Sequence, residues 1–283
     1  MRNNQDRIGV TAPTDNLQPN TEVPAPAASL EFIVPTEIVD LPSKGLFYEE
    51  GHPLHNRTTV EVKHMTTKEE DILTNQSFIK NGVAVERLLE SVLVDPKMKT
   101  GDMLVGDKNA LLVACRLYGY GNEYETKFTC PECGAAERHV FDLEDIESAN
   151  FEENAKEYDI TYNFDSQTMS MEIPRTKTKL ELKILKSREL ETATSKKAKN
   201  AQNNKFISTH YEKIIVAVNG NSDRQYIKSY INSMSALDSR YLRTVYSKCT
   251  PAVDFTCDYV CGECGHNDEV EVPLNAEFFW PKS

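Results

Sequence analysis

Four of the chain's seven cysteines stand in two short units of the same design: Cys130-Pro131-Glu132-Cys133-Gly134 and Cys261-Gly262-Glu263-Cys264-Gly265. Each unit has an aromatic residue two positions before its first cysteine, Phe128 in one and Tyr259 in the other. The second set follows the first by 131 positions throughout, 130 to 261 and 133 to 264. The same shift pairs Tyr124 with Phe255, Glu132 with Glu263, Phe141 with Val272 and Leu143 with Leu274. A Cys-x-x-Cys-Gly knuckle supplies two soft thiolate ligands, and its glycine lets the backbone turn so that amides approach the sulfurs. Two knuckles complete a tetrahedral four-sulfur shell, so the expectation is one structural zinc ion held by Cys130, Cys133, Cys261 and Cys264. Such a shell is closed and leaves no position for a reacting water. Two alternatives stand beside it. The thiols of each knuckle could pack without metal, or form a redox pair. A redox pair opens a helix after a strand, whereas strand-like sequence follows both knuckles here.

Other chemistry is sparse. The six histidines (52, 55, 64, 139, 210 and 266) are scattered, and none sits in a protease or triad pattern. No glycine-rich phosphate loop or dinucleotide fingerprint occurs, so the sequence gives no reason to expect an enzyme. Cys257 shares a strand face with Cys261 and sits where the first hairpin has Thr126, which reads as packing rather than a fifth ligand. His266 is an alternative ligand just past the second knuckle.

The elements around these residues suggest an α+β fold. A helical N-terminal half would be followed by a split, zinc-ribbon-like pair of β-hairpins enclosing a mixed strand and helix excursion. The proposed boundaries are an arm over 1–29, an α+β region over 30–122, hairpins over 123–143 and 250–275, an inserted region over 144–249 and an aromatic tail over 276–283. The arm is rich in Asn, Pro, Thr and Ala and reads as disordered, or as a segment that orders on a partner. Thr66 with Glu69 forms a capping-box pattern for a helix running to about Lys80, so the acids Glu69, Glu70 and Asp71 suit a helix start better than a metal. A second helix carries Val85, Leu88, Leu89, Val92 and Leu93 on one face. A third starts near Asp107 as its cap and is apolar all round, with Cys115 as a core residue. Within the excursion, alternation predicts strands at 158–164, 169–173 and 180–184. Helices are expected at about 187–202, 206–218, 223–233 and 236–248, the last capped by Ser235. The tail Phe278-Phe279-Trp280-Pro281 reads as packing back on the core, or otherwise as an exposed anchor for a partner.

Composition bounds the rest. The 283 residues carry a formal net charge of −12 and are 39% hydrophobic, which describes a soluble, acidic protein and argues against a nucleic-acid or membrane coat. No run is long and apolar enough to span a bilayer, and the N-terminus reads as no secretory signal. The expectation is therefore a reducing cytosol, where metal ligation outcompetes disulfides. Residues 175–205 hold ten Lys or Arg against three Glu, a local +7 in a chain whose remainder sums to −19. They suit a solvated or protein-facing surface. The alternative is a zinc-ribbon nucleic-acid-binding regulator using this segment, although no aromatics interleave to stack on bases.

In order along the chain stand Leu41-Pro42-Ser43-Lys44-Gly45, Val62-Lys63-His64-Met65-Thr66-Thr67-Lys68-Glu69-Glu70-Asp71-Ile72-Leu73, and Leu104-Val105-Gly106-Asp107-Lys108-Asn109-Ala110-Leu111-Leu112. Gly119-Tyr120-Gly121, the first knuckle and the closing Phe278-Phe279-Trp280-Pro281 follow. Together these resemble the baseplate hub assembly proteins and hub subunits of T4-type contractile-tailed bacteriophages. The likeness covers 32–143 well, the second knuckle and tail more loosely, and leaves the arm and excursion unspecified. It implies a non-enzymatic late protein in the host cytoplasm during assembly, and in the virion if it stays in the tail. It would act by binding other baseplate hub or tail proteins, as a lasting component or as an assembly chaperone.

Overall fold

The computed structural model of the chain describes residues 34–194, 206–274 and 278–279. The expected arm over 1–29 and the tail residues Trp280 and Pro281 lie outside them. The fold is α+β, with small antiparallel sheets and helices between them.

Strand β1 (Thr36–Asp40) pairs antiparallel with β2 (Thr59–Lys63), from Thr36 opposite Lys63 to Asp40 opposite Thr59. Helix α1 (Thr67–Thr74) starts on the expected capping box, in which Glu69 also accepts from the Ser91 hydroxyl at 2.6 Å. The helix expected to run to Lys80 is two helices. Asn75 closes α1, and its side chain accepts from the Ser77 and Phe78 amides to start α2 (Gln76–Asn81). An Asn side chain that competes for backbone amides breaks a helix more readily than it continues one. The face of α3 (Ala84–Val92) that buries Leu88, Leu89 and Val92 is the one its periodicity predicts.

Helix α4 (Val105–Tyr120) corrects one expectation. Its cap position is Leu104, which makes no side-chain bond, and Asp107 lies inside the first turn, fully buried. The Asp107 carboxylate accepts from the Ser43 amide (3.0 Å), the Ser43 hydroxyl (2.6 Å) and the Tyr48 hydroxyl (2.6 Å). Tyr48 in turn accepts from the Leu104 amide at 2.9 Å. A carboxylate withdrawn from water needs such partners. Gly106 leaves no room for a side chain, since a Cβ there would stand 2.1 Å from the Pro251 carbonyl oxygen. Helix α4 therefore lies directly on the backbone that leads into the last hairpin.

That hairpin has a predecessor. Strands β3 (Glu123–Thr129) and β4 (Ala136–Asp142) form the first, and Phe141 and Tyr124 face inward from it. The chain then makes β5 (Glu147–Ser148) and α5 (Phe151–Glu157). Helix α5 has no counterpart among the expected elements, and the strand expected over 158–164 is shorter, with β6 spanning only Thr161–Asn163. Strands β6, β7 (Thr168–Glu172), β8 (Lys179–Lys183) and β9 (Ile215–Val218) form one antiparallel sheet in that order. Before β9 come α6 (Ser187–Thr194) and α7 (Phe206–Ile214); the rest of the helix expected over 187–202 lies outside the described residues. The helix expected over 206–218 ends at Ile214. Ile215-Val216-Ala217-Val218 joins the sheet instead, because β-branched residues fit a half-buried pleated surface better than a helix. Helices α8 (Arg224–Ser233) and α9 (Ala236–Cys249) follow, capped by Asp223 and by the expected Ser235. Strand β10 (Val253–Asp254) pairs with β5, and β11 (Thr256–Val260) with β12 (Asn267–Glu271) makes the second hairpin.

Two apolar cores result. One joins β1, β2, α3 and α4 to both hairpins and to the buried Phe278 and Phe279, with Phe278 packed on Tyr124 and Phe279 on Phe278. These two tail aromatics thus pack back rather than project. The other core lies between the four-stranded sheet and α7, α8 and α9. Tyr162 packs against both cores, and its hydroxyl donates to the Cys249 carbonyl at 2.6 Å.

The Asp107 cluster makes a test. Tyr48→Phe leaves the buried Leu104 amide without its acceptor, and we expect it to cost about 1–3 kcal/mol in urea denaturation. Burial holds the Asp107 carboxyl above its usual range, against the pull of its three hydrogen bonds. The folded state therefore binds this proton more tightly than the unfolded one, and the contribution of Asp107 falls as pH rises through and above the ordinary carboxylate range. Asp107→Asn should flatten that part of the pH–stability curve; an unchanged slope would show that Asp107 does not titrate there.

Candidate metal centre

Each knuckle forms by the same backbone bonds. In the first, the Cys130 amide donates to the Ala135 carbonyl (2.8 Å) and the Gly134 amide to the Cys130 carbonyl (3.0 Å). In the second, Cys261 donates to His266 (2.9 Å) and Gly265 to Cys261 (3.0 Å). Gly134 and Gly265 sit at φ 73° and 69°, where a side chain would be strained. The 131-residue shift also holds in the strand pairing. Thr126 faces His139 in the first hairpin, and Cys257 faces Val270 in the second.

The hairpins meet so that the two knuckles share one site. The Sγ atoms of Cys130 and Cys264 are 3.8 Å apart, as are those of Cys133 and Cys261. All four sulfurs lie within 4.8 Å of one another, and they are the one group of candidate metal ligands among the described residues. A tetrahedral ion with metal–sulfur bonds of ~2.3 Å sets its ligands about 3.8 Å apart, so the four sulfurs fit such an ion. Every vertex is then a cysteine. The first cysteine of each knuckle is buried and the second exposed, as expected for ligands reached from inside and outside one clasp.

The sulfurs are not electrostatically equal. The backbone amides of Cys133 and Glu132 hold the Cys130 thiol below its usual range. Those of Cys264 and Glu263, with the Tyr259 hydroxyl, bring Cys261 down to about 6. The His266 amide also favours the Cys264 thiolate, but desolvation and the neighbouring thiols outweigh it and push Cys264 up to about 12. Four thiolates this close repel one another, so full ionisation needs a cation among them, and binding one releases protons.

The aromatics before each knuckle hold the hairpins together. The Phe128 and Tyr259 rings pack edge to face with centroids 4.7 Å apart. His139, on the same face of the first hairpin as Phe128, also packs on Tyr259 at 4.9 Å. The Tyr259 hydroxyl donates to Glu137 across the hairpins at 2.6 Å, and the Gly262 amide points to the same carboxylate at 3.4 Å. Sequence reasoning missed Glu137. The available signal was the one difference between matched aromatics, since Tyr259 has a hydroxyl that Phe128 lacks and a buried hydroxyl needs a partner.

Cys257 is buried outside the four-sulfur group, with its thiol 3.8 Å from the Asp142 carbonyl. The His266 ring lies near Asp268 at 3.7 Å and is not among the clustered ligands. Cys115 is inert core: burial pushes its thiol up to about 12. In the basic segment, Lys177, Lys183, Lys186 and Arg188 are ion-paired with Glu172, Glu189, Glu49 and Asp102. Residues 195–205 of that segment lie outside the described residues.

If the knuckles share one ion, Cys133→Ser and Cys264→Ser each remove one of four ligands. Both should lower the melting temperature by similar amounts, on the order of 5–10 °C. Strongly unequal losses would show that the knuckles do not share an ion.

No helix of the described residues is long and apolar enough to cross a membrane. None of the curated proteins and none of the solved structures searched matches the chain. The family model described as T4 bacteriophage base plate protein matches residues 35–280, which takes in β1, α4, both hairpins and the excursion between them. The chain thus belongs to the T4 bacteriophage base plate protein family.

Proposed function

We propose that the chain is a non-enzymatic hub subunit or hub assembly factor of a contractile phage tail, and that zinc is the ion its four cysteines hold. The carrying observation is the family match over 35–280, which places the chain among base plate proteins and supports a structural role in the phage tail. The all-cysteine shell supports zinc, which favours four thiolates in a tetrahedron and performs no redox chemistry there. In this reading the ion orients no substrate. It holds the two hairpins (123–143 and 250–275) as a split zinc ribbon between an N-terminal region (30–122) and an inserted region (144–249), with 1–29 and 276–283 as the remaining segments of the chain. Function lies in surfaces that bind other hub or tail proteins, in the host cytoplasm during assembly and in the virion if the chain stays in the tail.

The alternative, a nucleic-acid-binding regulator, would use the 175–205 segment. Its described cations are largely engaged with carboxylates on the same chain, which lowers their charge toward a phosphate backbone.

Protein purified without chelator should carry about one zinc per chain, and stripping the ion should lower the melting temperature on the order of 10 °C. Less than about half an equivalent, with all four thiols reactive, would reject the shared zinc. Mass spectrometry of purified virions separates a lasting subunit, present in the tail, from an assembly chaperone, absent from it. Binding to nucleic acid that falls steeply with salt, without recovery of tail proteins from infected cells, would replace the tail reading with the regulator.

A further inference from the structure

A groove of about 910 Å³ runs between β1, α4 and β5. Its backbone walls have a defined polarity. The Leu41 amide donates to Thr58 at 2.8 Å, and His64 donates to Pro35 at 2.9 Å. In an antiparallel ladder the bonded positions alternate, so residues 35, 37, 39 and 41 face β2. The amides and carbonyls of Ile38 and Asp40 therefore point away from β2, and none of the described residues bonds to them. The facing wall repeats this arrangement. The Ala149 amide donates to Ala252 at 2.9 Å, which turns the Ser148 backbone away from β10. Two short strands thus bring unpaired edges to one groove.

The side chains add a second constraint. Val113, Ala114 and Leu117 of α4 give the groove an apolar floor, and Ile38 on its rim is 69% exposed. The exposed rim charges are Asp40, Glu144 and Glu147, with Glu152 already paired to Lys44 at 2.9 Å. Open backbone edges select an extended chain, an apolar floor selects alternate apolar side chains, and an acidic rim selects cations. A bare edge with an exposed Ile beside it is also the feature that proteins normally cover, since it templates unwanted pairing.

We propose that this groove docks an extended segment of a partner polypeptide in which apolar side chains alternate with Lys or Arg. The segment adds a strand to the free edge of β1. That the partner is another tail protein rests on the function proposed above. The groove's selectivity for a basic, alternating strand does not.

The test uses the full chain and a synthetic probe, the blocked peptide Lys-Val-Lys-Val-Lys-Val-Lys, with Glu-Val-Glu-Val-Glu-Val-Glu as its control. The first should bind and the second should not, and raising salt to about 0.5 M should weaken binding roughly tenfold. Ile38→Pro removes an outward amide that the β1–β2 ladder does not use, so it should leave the fold and abolish at least ~90% of the binding. If Ile38→Pro does not fold, the exposed pair Asp40→Lys with Glu147→Lys carries the test. It should reverse the preference between the two peptides. Equal binding of both peptides, no binding of the basic one, or binding indifferent to these substitutions overturns the proposal. A concentration-dependent dimer that Ile38→Pro dissolves also overturns it, because the occupant is then a second copy of this chain. Absence from virions with peptide binding intact would remove only the claim of a lasting place in the tail.

Discussion

Four sulfurs within 4.8 Å, taken from segments 128 to 134 positions apart, impose the constraint on which much of the fold depends. They converge only if the chain returns to where it left. Several interactions at the base of the excursion enforce that return. Strand β10 pairs with β5, Tyr162 donates to Cys249, and the Asn154 side chain donates to the Lys248 carbonyl at 2.9 Å. The four-cysteine cluster is thus the outermost of several closures rather than the single one. The inner closures are backbone pairing and packing, which need no ion.

The two hairpins are near copies in pairing register and knuckle bonding, yet they do different work. The first carries Glu137, which reaches across to the Tyr259 hydroxyl and the Gly262 amide. Its counterpart under the shift, Asp268, bonds within its own hairpin to the Glu269 amide at 2.9 Å. A symmetric pair of cysteine knuckles therefore rests on an asymmetric clasp, in which one hairpin positions the other.

The N-terminal region is organised around a different polar centre. Asp107 draws Ser43 and Tyr48 onto the first turn of α4, so the Leu41–Gly45 turn is fixed from within rather than by its own geometry. Gly106 then admits the Pro251 backbone. Helix α4 links the turn, the groove floor and the last hairpin, so a change in its first turn would reach all three.

The four candidate ligands were legible in the sequence because Cys-x-x-Cys-Gly spacing and a constant shift of 131 are local and countable. The capping box at Thr66, the apolar face of α3 and the starts of α8 and α9 were legible for the same reason, since caps and periodicity depend on neighbours a few residues away. What the sequence could not show required partners distant in the chain. Asp107 looks like a helix cap until Ser43 and Tyr48 are seen against it. Ile215–Val218 becomes a strand because β8 offers an edge, and α5 forms where no element was expected, with Phe151 and Ala155 buried. Glu137 acquires its place only when the second hairpin folds against the first. Residue type and spacing thus determined which atoms can bind a metal. The tertiary structure decided which of them meet and what holds them, because burial and long-range hydrogen bonds have no signature in local sequence.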